Sequence, residues 1–261
     1  AMVKRHELQA LEARLVRCRR CPRLVAWCQE VAREKRRSYA HESYWGKPVP
    51  GFGDPEAAIW VLGLAPGAHG ANRTGRVFTG DRSGDFLYSA LHRLGLASQA
   101  HSVGRDDGMR LKDVWISAAV RCAPPGNKPQ PDEIEACADW LDRECAALTR
   151  ARVWVALGGI AWDAALDLAQ RRGIARFAAR PKFGHGSQVE LAGVHLLGSY
   201  HVSQQNTFTG RLTPQMFDAL LARAHQLARS PTRAAFESPT DAARSAPRSR
   251  SARPRGPGRS P

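Results

Sequence analysis

Four short apolar runs, Ala57–Leu62, Val114–Val120, Val153–Leu157 and Val194–Ser199, constrain this chain more than any other feature. They are apolar throughout rather than alternating, as strands buried on both faces are, and three of them end near glycine or another turn signal. Helical patterns lie between and around them. Asp132–Leu148 follows Pro131 and puts Ile134, Cys137, Ala138, Leu141, Cys145 and Leu148 on one face. Trp162–Gln170 follows Gly158-Gly159, and Thr213-Pro214 is a cap and first-turn signal ahead of Phe217, Leu220, Leu221, Ala224 and Leu227. Strands alternating with helices predict an α/β fold: a three-layer α/β/α sandwich around a central, mostly parallel four-stranded sheet. Ser187–Leu191, turning at Ala192-Gly193, adds a hairpin to the last strand. In such sheets the ligand crevice lies beyond the carboxyl ends of the strands.

Length and charge divide the chain. With 261 residues, 43% of them hydrophobic, it can bury one well-packed core, expected over 1–228. From Arg229 onward it turns to Arg, Ser, Pro and Ala, with eight arginines against Glu237 and Asp241, a composition expected to stay disordered and to attract polyanions. This tail, 229–261, carries +6 of the net +15, and the +9 left on the folded part points to nucleic acid. No apolar signal segment opens the sequence and no apolar run approaches membrane-spanning length, so the expected compartment is the cytoplasm, or the nucleoid if the partner is DNA.

Reduced thiols are expected there, which makes the six cysteines ligands or core filler rather than bridges. Cys18 and Cys21 form a C-x2-C pair. Cys122 and Cys137 follow about a hundred residues later, around a stretch too rich in proline and glycine for continuous helix or strand. Such a quartet clips an N-terminus onto the middle of a chain through an iron–sulfur cluster or zinc, and the spacing alone does not separate the two. Cys28 and Cys145 read as packing residues.

Two loops carry the remaining chemistry. The first follows the first strand: Gly63-Leu64-Ala65-Pro66-Gly67-Ala68-His69-Gly70, continuing to Phe78-Thr79-Gly80-Asp81. Its small residues let backbone amides approach a ligand, and it matches neither the Walker nor the dinucleotide glycine pattern, so no nucleotide cofactor is expected. The second follows the last strand: Tyr200-His201-Val202-Ser203-Gln204-Gln205-Asn206-Thr207-Phe208-Thr209-Gly210-Arg211-Leu212, a polar wall suited to nucleic acid.

Taken together, these elements resemble the uracil-DNA glycosylase superfamily, specifically its family 5 branch, through most of residues 10–228. Gly63-Leu64-Ala65-Pro66-Gly67 resembles the first catalytic motif of that family and His201-Val202-Ser203 with Gln204-Gln205-Asn206 the second. Cys18, Cys21, Cys122 and Cys137 match the ligands of a structural [4Fe–4S] cluster, with zinc the lesser alternative. Two positions depart from the uracil-strict pattern. Leu64 stands where strict families put a polar or acidic residue, and Ala118 where family 4 has an asparagine that reads the uracil edge. Without a bidentate amide, discrimination between bases is weak, and the resemblance implies tolerance of uracil, hypoxanthine and other damaged bases in double- and single-stranded DNA.

The resemblance implies a monomeric, monofunctional enzyme that flips a damaged base from DNA and hydrolyses its N-glycosidic bond. Phe78 would stack on the base, in a pocket built by Gly63, Leu64, Ala65, Gly67 and Ala118. His201 would donate to the departing base, while Asp81 orients water and favours the sugar cation, with Asn127 a further candidate for either task. Asp85 is the runner-up to Asp81, although Ser83-Gly84-Asp85 reads better as a helix cap. Arg73, Arg76, Lys128 and Arg211 are candidate phosphate contacts. The loop Asn206–Leu212 would fill the space left by the base, with Phe208 or Leu212 as the wedge. A competing reading keeps the metal clip and the DNA affinity without catalysis, since Leu64 lacks a polar group.

Overall fold

The computed structural model describes residues 2–230. Its sheet has six strands: β1 (Phe52–Gly53), β2 (Ile59–Gly63), β3 (Val114–Ala118), β4 (Val153–Leu157), β5 (Gln188–Leu191) and β6 (Val194–Ser199). Their order is β1-β3-β2-β4-β6-β5. The four expected strands form the parallel centre, and β1 and β5 pair antiparallel at the two edges. The extra strand β1 is two residues long, too short to leave a periodic signal. β5 is the expected hairpin arm, closed through Gly193 at φ 76°.

Eight helices surround the sheet: α1 (Met2–Leu15), α2 (Pro22–Glu34), α3 (Ala71–Thr74), α4 (Arg82–Arg93), α5 (Pro131–Ala147), α6 (Gly159–Arg171), α7 (Gln204–Phe208) and α8 (Pro214–Arg229). Strand periodicity decides which face each side chain serves. Ile59 and Val61 of β2, with Ile116, Val155 and Leu197, pack against Leu87 and Leu91 of α4 and Phe217 and Leu221 of α8. Trp60 and Leu62 point the other way, joining Trp154, Leu141 of α5, and Trp162 and Leu166 of α6. A third cluster holds the N-terminal helices: Leu15, Leu24 and Cys28 pack with Val120, Cys122, Cys137 and Trp140. No helix among the described residues is long and apolar enough to cross a membrane. The expectations for the basic tail from residue 231 onward lie outside the described residues.

Two arginines expected on phosphates are spent inside the protein instead. Arg76 is buried, with Nε on Thr79 Oγ1 at 3.1 Å, Nη2 on Ser102 Oγ and Asp107 Oδ2 at 2.6 Å each, and Nη1 on the Arg105 carbonyl at 3.2 Å. Arg73 is buried over the Tyr39 ring, donating to the His69 and Gly80 carbonyls at 2.8 Å each and pairing with Glu42. Most of their donors hold the 63–81 loop to its neighbours, and Arg73 also lines the open groove beside the cavity. Glu42 and Asp107, both distant in sequence, supply their charged partners.

Removing Arg76 takes the charged partner from the largely buried Asp107 carboxylate and leaves it only the Val103, Gly104 and Met109 amides. Arg76→Ala is expected to lower the unfolding free energy by about 3–5 kcal/mol in chemical denaturation. Burial alone would raise the Asp107 carboxyl, but the Arg76 hydrogen bond and the Met109 and Val103 amides outweigh it and hold it at about 2. Because the folded value is below the ordinary 3.8, this contribution is complete above that value and is lost as pH falls toward 2. Acid titration of stability checks it: the Arg76→Ala protein should lack that part of the slope.

Candidate active site

The parallel strands end level with one another, and their exit loops enclose a cavity of about 670 Å³. β2 ends at Gly63, opposite Ala118 at the end of β3. Glycine is required at 63, because a Cβ there would stand 2.7 Å from Cζ of the Phe78 ring. Phe78 itself holds φ 49°, a costly conformation for an aromatic residue, with Gly84 pressed on its carbonyl where no Cβ fits. The ring lies against the end of the sheet, with the His201 ring centroid 6.2 Å away. Leu64, Ala65, Pro66 and Gly67 continue the wall from β2, and Ala118 closes it from β3.

Asp81 is the N-cap of α4: its Oδ1 accepts from the Gly84 amide at 2.9 Å. The cap is therefore neither Ser83 nor Asp85. Asp85 lies in the first turn, and its carboxylate stands 3.5 Å from His101 Nδ1. The other Asp81 oxygen, Oδ2, faces the glycine loop, where a Cβ on Gly70 would approach it to 2.0 Å and one on Gly67 to 3.0 Å. Burial raises the Asp81 carboxyl above its ordinary value, and the Gly84 and Ser83 amides offset this only in part.

His201 follows β6 and enters the cavity from the opposite wall. Burial pushes its imidazole down to about 4, so the ring is neutral at pH 7. Asn206 Nδ2 donates to the His201 carbonyl at 2.8 Å, and Ser203 caps α7 through the Asn206 amide. That amide donor of Asn206 therefore braces His201, although the residue also lines the cavity. Asn127 arrives from the proline-rich loop at φ 57°, exposed on the rim. Val77, Ser83, Gly126, Gln204 and Gln205 complete the lining; the pattern of the two loops placed them near it without singling them out. An open groove of about 1000 Å³ continues from Gly67, Asp81, Asn127 and Gln204 to His69, Arg36 and Arg82. Arg36 stands outside both loop motifs and gave no sequence signal, whereas Arg82 follows Asp81 at the end of the first loop without having been singled out. No lysine lines the cavity among the described residues.

Of the other expected surface residues, Phe208 is 74% exposed, whereas Leu212 is fully buried and available to nothing outside. Arg211 is exposed and lies 4.5 Å from the Tyr200 ring centroid. Lys128 is exposed beside Asn127, with its carbonyl taken by Arg23 at 3.2 Å.

The four cysteines meet. Cys18, which follows α1, Cys21 at the start of α2, Cys122 and Cys137 of α5 all line one narrow pocket with Arg20, Arg121 and Trp140. The Arg23 fork on Glu133, at 2.7 and 2.8 Å, ties the start of α2 to the first turn of α5 and so brings the two halves together. Three of these thiols are held up against ionisation. Burial and then the neighbouring Cys137 and Cys18 push Cys21 up to about 11, burial raises Cys137, and the Cys28 hydrogen bond and burial raise Cys122. Such a set suits a cation, which favours the thiolates. Among the described residues no three His, Cys, Asp or Glu side chains close on one point as a single ion requires. A second cavity, about 300 Å³, lies under α1 at Trp115, Arg121 and Glu144, away from the site.

Comparison with known proteins agrees with this layout. Residues 50–225 match the family model described as the uracil DNA glycosylase superfamily. The chain is 55% identical over 220 residues to a type-5 uracil-DNA glycosylase of Mycobacterium bovis, covering 84% of this chain and 81% of the other. It is 55% identical over 221 residues to one of Thermus thermophilus, covering 84% and 98%. It is 47% identical over 211 residues to one of Pyrobaculum aerophilum, covering 81% and 89%.

A His201 imidazole so far depressed is expected to titrate near 4 in NMR, well below an exposed histidine. Its folded value lies below the ordinary 6.5, so the stabilisation it gives as a neutral group is complete above 6.5 and is lost as pH falls from there toward 4. A His201 titration at the ordinary value would contradict the buried placement.

Proposed function

The chain belongs to the uracil DNA glycosylase superfamily, and on that premise we propose that it hydrolyses the N-glycosidic bond of uracil, and of other deaminated bases such as hypoxanthine, in DNA. It is an enzyme, a DNA N-glycosylase and so a hydrolase. One observation carries the site reading: a raised carboxyl, a neutral imidazole and an aromatic ring converge on one cavity at the strand ends.

The target nucleotide leaves the stack, at a cost of a few kcal/mol that is smallest at a mismatch. Phe78 stacks on the extruded base. As the bond breaks, charge moves onto the base, and His201 donates from one ring nitrogen to the base carbonyl. A neutral donor at pH 7 does this without a proton having to be acquired first. Asp81 Oδ2 orients the attacking water and stabilises the sugar cation, with Asn127 assisting from the rim. Oδ1, taken by the Gly84 amide, holds the carboxylate in place. The absence of a cavity lysine among the described residues supports attack by water and a monofunctional outcome.

Base discrimination is weak on this reading. Leu64 and Ala118 offer only apolar surface where a side-chain amide would read the base edge, so selection falls to shape and backbone donors. Lys128 and Arg211 contact phosphates, joined by Arg36 and Arg82, which line the adjoining groove together with Arg73. Phe208 is the wedge. Cys18, Cys21, Cys122 and Cys137 would hold a [4Fe–4S] cluster, a reading supported by all four lining one pocket, with zinc the alternative. Four thiolates leave no position for substrate, and the cluster supplies a covalent cross-link between the α1–α2 turn and the β3 loop, not chemistry.

The decisive experiment incubates the full chain with duplexes carrying U·G, hypoxanthine or undamaged pairs and scores alkali-labile abasic sites. No product from U·G would end the reading, and product from uracil alone would remove the broad-substrate part. His201→Ala is expected to lower single-turnover cleavage by about 10²–10³ while DNA affinity changes little. Asp81→Asn should cost a comparable factor and abolish the acid limb of the pH profile. That limb lies above the ordinary carboxylate value because the Asp81 carboxyl is raised and must be ionised to act. Lys128→Ala or Arg211→Ala should weaken binding similarly for all sequences and reduce the salt slope by about 1.

A further inference from the structure

The pocket that gathers the four cysteines also gathers two buried donors with nothing to bind. Arg121 is 2% exposed, and its Nη1 and Nη2 both meet Glu144, at 3.3 and 2.5 Å. This end-on arrangement spends the fork and leaves Nε–H, buried, without a partner. Trp140 is 5% exposed, and its Nε1–H is likewise buried and unpartnered. Neither group can accept a hydrogen bond, so each can be satisfied only by an acceptor. A buried donor without a partner is destabilising, and two beside one pocket invite a common explanation. Both residues line the pocket with Cys18, Cys21, Cys122 and Cys137, and both also border the cavity under α1, where Glu144 is already committed to Arg121 and Trp115.

We propose that Arg121 Nε–H and Trp140 Nε1–H donate hydrogen bonds to sulfur atoms of the thiolate-held metal group in this pocket. No cysteine Sγ lies within hydrogen-bond reach of either donor, so the acceptors would be the sulfides that a thiolate-held cluster brings into the pocket. One hydrogen bond to sulfur already exists here: the Arg121 backbone amide donates to Cys137 Sγ at 3.4 Å. The side chain of the same residue then repeats the interaction of its backbone. Arg20 does not compete for this role, since its guanidinium is committed to Asp139 at 2.9 Å and the Ala136 carbonyl at 3.3 Å. It instead covers the Trp140 ring, with Cζ 5.1 Å from the centroid, and keeps water off the indole.

Arg121 is aimed by a further layer. Glu144 Oε1 also accepts from Trp115 Nε1 at 2.9 Å, which fixes the carboxylate and through it the guanidinium plane. Arg121 and Trp140 are thus positioning residues for the metal group, outside the hydrolytic machinery. Hydrogen bonds to sulfur withdraw electron density and favour the more reduced, more negative state, raising the reduction potential of an iron–sulfur centre.

The inference rests on the reading of the cysteine quartet as a cluster site. The test uses the full chain purified with its metal, as wild type, Trp140→Phe, Arg121→Lys and the double variant. Phenylalanine keeps the ring under Arg20 without the N–H, and lysine keeps a cation for Glu144 without Nε–H. Midpoint potential is read by spectroelectrochemical titration and iron–sulfur stretching frequencies by resonance Raman. Each single variant should keep the wild-type iron content and uracil cleavage rate, shift the potential to more negative values and change the stretching frequencies. The double variant should shift further than either. Potentials and frequencies equal to wild type in a variant that retains its cluster overturn the assignment for that donor. Trp140→Phe is nearly isosteric and tests the proposal even if Arg121→Lys does not fold. A wild-type protein with zinc and no visible absorbance overturns the cluster premise, and the inference with it.

Discussion

The two-sided burial of β2 is the constraint on which the rest depends. With β3 on one side and β4 on the other, every residue of the strand is buried, and successive side chains serve opposite cores. A slip of one residue would drive Trp60 into the layer built for Val61 and leave its indole, now bound to Ser117 Oγ at 2.7 Å, without a partner. That register sets Gly63 opposite Ala118. The pairing continues past the strands, with the Ala119 amide on the Gly63 carbonyl and the Val120 amide on the Leu64 carbonyl, both at 2.9 Å. One ladder therefore aligns the floor of the cavity and delivers the chain to Cys122.

From that floor, strain and burial do the chemical tuning. The left-handed Phe78 and the glycines at 63, 67, 70 and 84 are different aspects of one close approach between a loop and the end of a sheet. Asp81 has one oxygen in a helix cap and one toward the glycines, so the fold that orients it also buries it and raises its carboxyl. His201 is held by its backbone, leaving the ring for a ligand. The cysteine pocket adjoins the same segment, because Cys122 lies five residues before Asn127.

Much of this was legible in the sequence. Unbroken apolar runs have one use in a chain of this size, and all four became parallel strands in the centre of the sheet. The glycine loop and the histidine loop were readable as one crevice because strand ends in a parallel sheet face the same way, whereas Asn127 came only from the family resemblance. The two-residue β1 left no periodic trace, and the N-cap of α4 belonged to Asp81 although Ser83 and Asp85 have equally suitable side chains. A cap is chosen by where the chain bends, and here Gly84 must pass under the Phe78 carbonyl.

By itself the sequence determined the periodicities, and through them the layers, the crevice and the cysteines that could share one site. Tertiary structure decided how each polar side chain is spent. Arg73 and Arg76 sit in a glycine-rich loop of a basic protein, yet Glu42 and Asp107 claim them, 31 residues away in each case. Phe208 and Leu212 differ little as candidates for an exposed wedge, and only packing buried one and left the other out. Apolar burial depends on patterns that a chain carries locally. A charge or a donor takes whichever partner folding brings within about 3 Å, and that is set by contacts no local pattern encodes.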